Sequence, residues 1–224
     1  AEQNPSINKV KDLNAKTSAI YGFSIFSSDK FFLLNKENRI DYIGLNKFLE
    51  KYSNKKILIF GFTSSIYQNL IINLDKDKLK YGMHNSLLVH GGGWKKLLNL
   101  SISNSLFKAK LNHKLGIKSV INYYGVVEQT GSIFFESKKC GYFHTSLFSD
   151  IIIRNKDLKV QKNNLEGLVQ LVSLLPTSYP GHNILTEDVG KIIGEDDCDC
   201  GLKGKYFLIK GRAKQAELRG CSDV

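Results

Sequence analysis

Two short apolar segments, each leading into a turn, constrain the fold of this chain more than any other feature. The runs Ile57–Phe60 and Leu87–Val89 contain no alternating polar positions, which is typical of strands buried on both faces of a sheet. Ser119–Tyr123 forms a third strand-like run further along the chain. Because helical patterns separate the three runs, this part of the sequence predicts a parallel, doubly wound α/β sheet.

Helical patterns fill the two intervals between these strands. Thr63 or Ser64 is placed to cap a helix whose apolar positions recur at a helical spacing: Ile66, Leu70 and Leu74. Ser105 is placed to cap a second helix, which ends at Gly116 and carries three apolar residues on one face: Phe107, Leu111 and Leu115. Residues 1–30 are weakly patterned and predict a connecting segment or an incomplete element.

After Gly131 the pattern changes to short β runs separated by turn residues. The runs are Ile133–Phe135, Asp150–Arg154, Leu168–Leu174 and Tyr206–Ile209. They predict a β-rich subdomain appended to the α/β sheet. The sequence therefore suggests three parts: an α/β portion (residues 1–131), a β-rich subdomain (132–212) and a hinge with a short tail (213–224).

The chain is basic, with 32 lysines and arginines against 21 acidic residues and a net charge of +11. The lysines are scattered among asparagines and acids, and the longest basic runs are pairs such as Lys55-Lys56. This distribution is typical of a solvated surface and argues against a nucleic acid-binding face. The positive excess still favours anionic ligands such as nucleotides.

The sequence shows no targeting pattern and few cysteines. No apolar run approaches the ~18 residues that predict a membrane-spanning helix, and the polar start has no secretory pattern. Four cysteines in 224 residues are too few for a disulfide scaffold. These features predict a cytoplasmic protein whose cysteines are reduced, so metal binding or thiol chemistry is the question they raise.

The turns after the second and third strands carry residues suited to binding a ligand, because ligands of open α/β sheets bind at the carboxyl ends of strands. Gly91-Gly92-Gly93 can expose backbone amides to a bound group. Tyr124 offers an aromatic face for a purine, and Glu128 offers a carboxylate for Mg²⁺. Taken alone, the glycines also suit a simple tight turn, Tyr124 a packing role and Glu128 a solvated position.

Cysteines and a histidine form a second candidate site. Cys140 and His144 are spaced C-x3-H, and Cys198 and Cys200 are spaced C-x-C before Gly201, which permits a sharp turn. Three sulfurs and one imidazole are a sound tetrahedral zinc set. The spacing alone equally allows two reduced cysteines in a loop beside an unrelated histidine.

Ordered motifs between residues 90 and 220 resemble those of the adenylate-forming enzymes, which activate carboxylates with ATP. The segment YGVVEQTG, which contains Tyr124, Gly125 and Glu128, resembles their Tyr-Gly-x-Thr-Glu motif, with Val127 in place of the usual Thr. The turn Gly91–Gly93 before a helix resembles their glycine loop near the acyl and adenine pockets. The resemblance implies that Tyr124 stacks on adenine and that Glu128 helps to hold Mg²⁺.

Two further motifs follow in the order that the superfamily has them. Thr186–Gly190 resembles the segment whose Asp, here Asp188, binds the ribose hydroxyls. Gly211-Arg212 resembles the hinge whose Arg also reaches the ribose, and QAELRG continues that alignment. The resemblance therefore implies a ribose-binding pair formed by Asp188 and Arg212.

Within that superfamily the chain is most similar to the acyl-protein synthetases, the group that includes the fatty-acid ligase component of bacterial luminescence. HGGGWKKL, YFHTSLFSDIIIRN and the final RGCSDV carry this resemblance. It implies that a fatty acyl group passes from an adenylate to a cysteine near the carboxyl terminus, for which Cys221 is the candidate. The next acceptor would be a partner protein, a reductase or a carrier.

Phenylacetate–coenzyme A ligases are the next most similar group. They hold a structural zinc with Cys and His after the Tyr-Gly motif and with a later Cys-x-Cys. This resemblance implies structural Zn²⁺ at four residues of the present chain: Cys140, His144, Cys198 and Cys200.

Together the resemblances imply a ligase that uses ATP and Mg²⁺ to convert a fatty acid, or another carboxylate, to an acyl-adenylate and then to a thioester. The Ser/Thr/Gly-rich phosphate loop of the superfamily has no convincing counterpart upstream of Gly91, so we expect this chain alone to be incomplete. The alternatives are a non-catalytic nucleotide-binding or interaction subunit and an acyl- or aryl-coenzyme A ligase.

Overall fold

The computed structural model describes Asn4 and residues 15–94, 99–129 and 131–213. The helices are α1 (Ala15–Ser24), α2 (Tyr42–Lys51), α3 (Thr63–Ile66), which continues as a π-helix (Tyr67–Asn73), a 3₁₀ turn (Lys76–Lys78) and α4 (Asn104–Leu115). The strands are β1 (Ile57–Phe62), β2 (Ser86–Gly91), β3 (Ser119–Tyr124), β4 (Phe134–Phe135), β5 (Phe143–His144), β6 (Ser149–Arg154), β7 (Gly167–Ser173), β8 (Asn183–Glu195) and β9 (Lys205–Arg212). Among these residues, no helix has the length and apolar character needed to cross a bilayer.

The chain forms two compact units, the first ending at Ile121 and the second beginning at Asn122. The strand order of one sheet is β1-β2-β3-β4, and that of the other is β5-β9-β8-β7-β6. β1 and β2 are parallel, with Ile57 opposite Ser86 and Phe62 opposite Gly91. All the strand pairs of the second sheet are antiparallel. The predicted class, an α/β sheet with a separate β-rich part, is therefore confirmed.

Apolar residues of α3, its π-helical continuation and α4 fill the core of the first unit. The residues that the sequence assigns to the buried faces of the two helices are at most 7 % exposed: Ile66, Leu70, Leu74, Phe107, Leu111 and Leu115. α4 ends at Gly116, which adopts the left-handed conformation expected of a helix terminus (φ 72°). The apolar spacing thus predicts both buried faces correctly.

Both predicted helix caps are wrong. Phe62 occupies the cap position of α3 and has no side-chain oxygen to accept a capping hydrogen bond. Thr63 and Ser64 lie within the helix, and the Thr63 hydroxyl contacts the end of β2. α4 is capped by Ser103, whose hydroxyl accepts a hydrogen bond from the Leu106 amide at 3.2 Å. Ser105 lies within the first turn of that helix, where its hydroxyl is 3.0 Å from that of Ser103.

Residues 1–30, for which the sequence predicts a connecting segment or an incomplete element, contain the helix α1. Among residues 16–24, the part of α1 whose burial the structure describes, Ile20 and Phe23 are buried, and that stripe is too sparse to give a clear helical pattern. α2 begins after Asp41, whose carboxylate accepts a hydrogen bond from the Gly44 amide at 2.9 Å.

In the second unit, the four predicted β runs are present as β4, β6, β7 and β9. A second core lies here and is built around Phe134, Phe207 and the isoleucines of β6. The sequence did not predict β8, the 13-residue strand that carries Asp188. Gly190, Gly194 and acidic residues interrupt β8, and such residues are depleted in strands. The division of the chain at residues 131 and 212 stays a prediction.

Candidate functional site

Tyr124, at the end of β3, is held firmly by the core of the second unit. Its ring centroid lies 6.3 Å from that of Phe134, 6.3 Å from that of Phe143 and 6.4 Å from that of Phe207. Tyr124 as a whole is partly exposed. Packing among three phenylalanines fixes where its hydroxyl can lie, since aromatic side chains in a dense core have few free rotamers.

The Tyr124 hydroxyl donates a hydrogen bond to Asp188 Oδ2 at 2.7 Å, across 64 residues of sequence. The Asp188 backbone is held as well, because its amide donates to Thr186 Oγ1 at 3.1 Å. The Thr186 hydroxyl in turn donates to the Val169 carbonyl on β7 at 2.9 Å. Asp188 is therefore held at two points: Tyr124 binds its carboxylate, and Thr186 binds its backbone amide.

Arg212 lies opposite Asp188 in the pairing of β8 with β9. Its guanidinium donates to Glu187 Oε2 at 2.6 Å, and the Ala213 amide donates to the Glu187 carbonyl at 2.8 Å. The structure thus brings Tyr124, Asp188 and Arg212 together, as the resemblance implied for an adenosine site. It also adds Glu187, which the sequence analysis did not single out.

The surroundings of Asp188 act on its pKa in opposite directions. Burial raises the pKa of Asp188 above its ordinary value, while the Tyr124 hydrogen bond and the Arg212 charge lower it. Burial likewise raises the pKa of Tyr124, and the negative charge of Asp188 raises it further. Glu128, exposed on the turn after β3, raises the pKa of both groups, so its carboxylate lies close enough for its field to act on them.

Gln129 fixes the turn that carries Gly125 and Glu128. It is 1 % exposed, and its side-chain amide donates to the Leu171 carbonyl at 3.3 Å and to the Gly181 carbonyl at 2.8 Å. No signal in the sequence indicates this role, because glutamines are common on surface turns. The buried amide links the turn after β3 to the second sheet.

The glycine turn after β2 belongs to the first unit. Gly92 and Gly93 have φ angles of 75° and 64°, in the left-handed region that side chains disfavour. A Cβ atom on Gly92 would lie 2.8 Å from a ring carbon of Phe62. The backbone conformation therefore requires glycine at this turn, whose second and third residues are exposed to solvent.

His90, just before that turn, is 2 % exposed and has a defined tautomer. The Thr63 hydroxyl donates its one hydrogen to the Gly91 carbonyl at 3.0 Å, so it must accept from His90 Nδ1 at 2.9 Å. The proton is thereby assigned to Nδ1, and Nε2 has no hydrogen-bond partner among the described residues. Burial lowers the pKa of His90 to about 3, so the ring is neutral at physiological pH.

The four predicted metal ligands converge in the second unit. The ligand atoms of Cys140, His144, Cys198 and Cys200 all lie within 4.8 Å of one another. His144 Nε2 is 3.4 Å from Cys140 Sγ and 3.4 Å from Cys200 Sγ. An ideal zinc tetrahedron separates nitrogen from sulfur by about 3.6 Å and two sulfurs by about 3.8 Å. The donor set and its spacing therefore fit zinc.

The backbone around the cluster supports the same chemistry. The Gly201 amide donates to the Cys198 carbonyl at 2.9 Å, and the φ of Gly201 is 85°, which makes the sharp turn expected after C-x-C. Burial raises the pKa of Cys200, but hydrogen bonds from the Leu202 amide and from neighbouring side chains lower it, to about 7. The Cys200 amide lowers the pKa of Cys198, whereas burial and the neighbouring thiols raise it, to about 11. The thiols thus compete for one negative charge, a competition that a divalent cation would relieve.

Two predicted features are not described by the structure. Cys221 and the segment QAELRG lie outside the described residues. The glycine turn lies in the first unit, while the Tyr124–Asp188–Arg212 group and the Cys/His cluster lie in the second. Each of the three groups is therefore considered by itself.

Comparison with solved structures shows the fold. An amide bond synthetase, McbA from Marinactinospora thermotolerans, has a TM-score of 0.53 and 13% identity over 78% of this chain and 35% of its own. The luciferase-like enzyme of the nonluminescent mealworm Zophobas morio has a TM-score of 0.51 and 19% identity over 78% and 42%. The anthranilate CoA ligase AuaEII, solved with anthranoyl-AMP, has a TM-score of 0.52 and 12% identity over 78% and 33%. The chain thus spans less than half the length of these adenylate-forming enzymes.

Comparison with sequences shows the family. No curated protein matches the chain. The family model described as "Acyl-protein synthetase, LuxE" matches residues 2–224, almost the whole chain. The motifs of the sequence, the fold and this match agree, and the chain belongs to the LuxE family of acyl-protein synthetases.

Proposed function

We propose that the protein takes part in the ATP-dependent activation of a fatty acid, or of another carboxylate, to an acyl-adenylate, followed by transfer of the acyl group to a thiol. Membership of the LuxE family and the adenylate-forming fold support the acyl-activating part. The observation that carries the proposal is the convergence of Tyr124, Asp188 and Arg212 in the second unit. A carboxylate, a guanidinium and an aromatic ring are the groups that an adenosine would need.

Each of these residues has a definite role in the proposal. Asp188 accepts hydrogen bonds from the ribose hydroxyls, and Arg212 donates to the ribose from the neighbouring strand. Tyr124 offers its ring to adenine. Glu128 helps to hold the Mg²⁺ that accompanies ATP, since a carboxylate with waters and phosphate oxygens suits that ion.

The glycine turn and the phosphates complete the adenylation step. In the proposal, the glycine turn Gly91–Gly93 contributes backbone amides to binding of the adenylate or acyl group. Gly92 and Gly93 are its exposed residues, and their amides can meet a bound anion. The carboxylate of the fatty acid attacks the α-phosphorus, a C–O–P linkage forms, and pyrophosphate leaves with the electrons of the broken P–O bond. The sequence offers no phosphate loop for this step. We infer that residues outside this chain grip the phosphates.

Cys221 is the proposed acyl acceptor. Its thiolate would attack the carbonyl carbon of the acyl-adenylate, so that a C–S bond forms and AMP leaves with the electrons of the broken C–O bond. Arg212, Lys214 and Arg219 lie near it in sequence, and their positive charge would favour the thiolate. The acyl group then passes to a partner protein, a reductase or a carrier.

Zn²⁺ is the proposed occupant of the Cys140/His144/Cys198/Cys200 cluster, in a structural role. Four protein ligands leave no open position for a substrate, which is the arrangement of structural rather than catalytic zinc sites. The cysteines that the structure describes are free thiols, which fits a reducing cytoplasm.

Labelling of the protein expressed from its complete reading frame tests this function. With labelled fatty acid and ATP, we expect label on the protein that neutral hydroxylamine releases, because a thioester is labile where an amide is not. Cys221→Ser should abolish the labelling while adenylate formation continues. Label that persists in Cys221→Ser, or that maps to Cys140, Cys198 or Cys200, would contradict the acceptor assignment.

A further inference from the structure

We propose that the Tyr124 hydroxyl is a positioning group for nucleotide recognition: it orients the Asp188 carboxylate so that the carboxylate can accept hydrogen bonds from both ribose hydroxyls. The proposal rests on the function proposed above and assigns to Tyr124 a role separate from ring stacking. It starts from the 2.7 Å hydrogen bond between the Tyr124 hydroxyl and Asp188 Oδ2.

The donor in this bond is fixed more rigidly than an ordinary surface tyrosine. The Tyr124 ring packs against Phe134, Phe143 and Phe207, with centroid distances between 6.3 and 6.4 Å. The hydroxyl consequently stands at one place relative to the second sheet. A hydrogen bond from a fixed donor restricts the rotation of the acceptor carboxylate, whose torsion is otherwise broad.

The acceptor is held from its other side as well. The Asp188 amide donates to Thr186 Oγ1 at 3.1 Å, and the Thr186 hydroxyl is anchored on the Val169 carbonyl at 2.9 Å. With the main chain and one carboxylate oxygen both fixed, Oδ1 and the second lone pair of Oδ2 remain available to a ligand. Vicinal hydroxyls, as in ribose, present two donors at a spacing that one carboxylate can accept.

The same hydrogen bond keeps Asp188 in the form that accepts. Burial raises the pKa of Asp188, and the nearby charges of Glu128 and Glu187 raise it too. The hydrogen bond from Tyr124 and the charge of Arg212 act in the opposite direction and favour the ionised carboxylate. Loss of the phenol hydroxyl would therefore leave a carboxylate that is both less oriented and easier to protonate.

A cycle of two proteins and two ligands tests the proposal. The proteins are the wild type and Tyr124→Phe, which keeps the ring and loses the hydroxyl, and the ligands are AMP and 2′,3′-dideoxy-AMP. By calorimetry we expect Tyr124→Phe to weaken the binding of AMP by about 3- to 10-fold. The affinity for dideoxy-AMP, which is already weak in the wild type, should not change. Such coupling links the Tyr124 hydroxyl to recognition of the ribose hydroxyls, and the same loss in Thr186→Val, which acts on the Asp188 main chain, assigns the effect to Asp188. A substitution that merely loosened the fold would weaken both ligands alike.

The controls separate the possible failures. Tyr123→Phe removes a hydroxyl from the preceding residue of β3, which faces the opposite side of the strand, and should leave both affinities unchanged. If Tyr124→Phe folds poorly, Thr186→Val should show the same selective loss for AMP, while Thr186→Ser should retain binding. A wild-type protein that does not distinguish AMP from dideoxy-AMP would overturn the proposed nucleotide site itself. A wild type that distinguishes them, with Tyr124→Phe or Thr186→Val binding AMP equally well, would overturn only the positioning role.

Discussion

His90 in the first unit and His144 in the second are both buried, 2 % and 8 % exposed, and burial lowers the pKa of each. Their partners differ. His90 donates to one threonine hydroxyl and leaves Nε2 without a partner among the described residues, whereas His144 directs Nε2 at two sulfurs 3.4 Å away. Burial and neutrality alone therefore do not make a histidine a metal ligand. The convergence of other donors on the same nitrogen is what distinguishes the two.

The largest expected effect concerns the Cys/His cluster, for which we propose zinc. Chelation of the purified protein, or Cys198→Ser, should lower the Tm of the metal-loaded protein by about 10 °C or more, because a closed structural site contributes directly to folding. Elemental analysis should give about one zinc per chain.

Cys221→Ser is the matched control for that experiment, since Cys221 is the one cysteine that the sequence analysis assigns to acyl transfer rather than to the metal site. It should change neither the zinc content nor the Tm. A metal-free preparation that is folded and equally stable would contradict the assignment of His144, in contrast to His90, as a ligand of a structural metal.

Because His90 resists protonation in the folded protein, we expect acid to lower the free energy of unfolding. The pKa of His90 is lowered to about 3 in the folded protein, so the unfolded chain binds a proton that the folded chain does not as the pH falls below about 6.5. Stability from the neutral ring is therefore present above that pH and is lost as the pH falls toward 3. Between about pH 7 and about pH 5 the loss should be about 2 kcal/mol.

Denaturant unfolding of the wild type and His90→Gln at both pH values measures this loss. The wild type should be the more stable protein at the higher pH. The difference in free energy of unfolding between the two proteins should become smaller at the lower pH. Effects of pH that both proteins share cancel in this difference. A difference that does not vary with pH would mean that His90 does not resist protonation in the folded state.

Asp188 extends the comparison from metal binding to nucleotide binding. Asp188→Ala removes a charged acceptor and should weaken AMP binding by about 10- to 150-fold, the equivalent of about 1.5–3 kcal/mol. Zinc content should not change, because Asp188 is not a member of the Cys/His cluster.

Glu187→Gln, which removes the neighbouring charge on the same strand, is the control, and calorimetry measures both variants. Its ion pair with Arg212 is exposed, so the change should stay below about 5-fold. Equal losses in the two variants would point to a general effect of charge rather than to recognition of ribose by Asp188.

The last expected effect concerns the hydroxyl that holds His90. Thr63→Val removes the acceptor of the His90 Nδ1–H and the donor to the Gly91 carbonyl, and should destabilise the protein by about 1–3 kcal/mol. Thr63→Ser keeps both hydrogen bonds and should lose much less. Unfolding curves that are the same for Val and Ser would show that the methyl group, rather than the hydroxyl, is what matters at this position.

The sequence predicted the elements of the fold that are rich in apolar residues. β1, β2 and α4 carry uninterrupted or regularly spaced apolar side chains, and each was located correctly. α1 and β8 were not predicted. α1 buries too few residues to show a period, and the polar residues and glycines of β8 hide a strand that its two neighbours stabilise through pairing.

The candidate site shows the same division. The C-x3-H and C-x-C spacings suggested a group of four ligands, the resemblance to phenylacetate–coenzyme A ligases implied it, and their ligand atoms do converge. The Tyr124–Asp188 and Thr63–His90 hydrogen bonds join common residue types across 64 and 27 residues of sequence. Nothing local in the sequence marks such pairs, because only the tertiary fold brings them together.

Exchange of labelled pyrophosphate into ATP by the protein expressed from its complete reading frame tests the central claim most directly. Exchange reports reversible formation of an acyl-adenylate and does not require the acceptor thiol. We expect exchange that depends on added fatty acid, is strongly reduced by Asp188→Ala and persists in Cys221→Ser. An absence of exchange with any carboxylate, in a protein that is folded and loaded with metal, would contradict the assignment of this chain to an acyl-activating ligase.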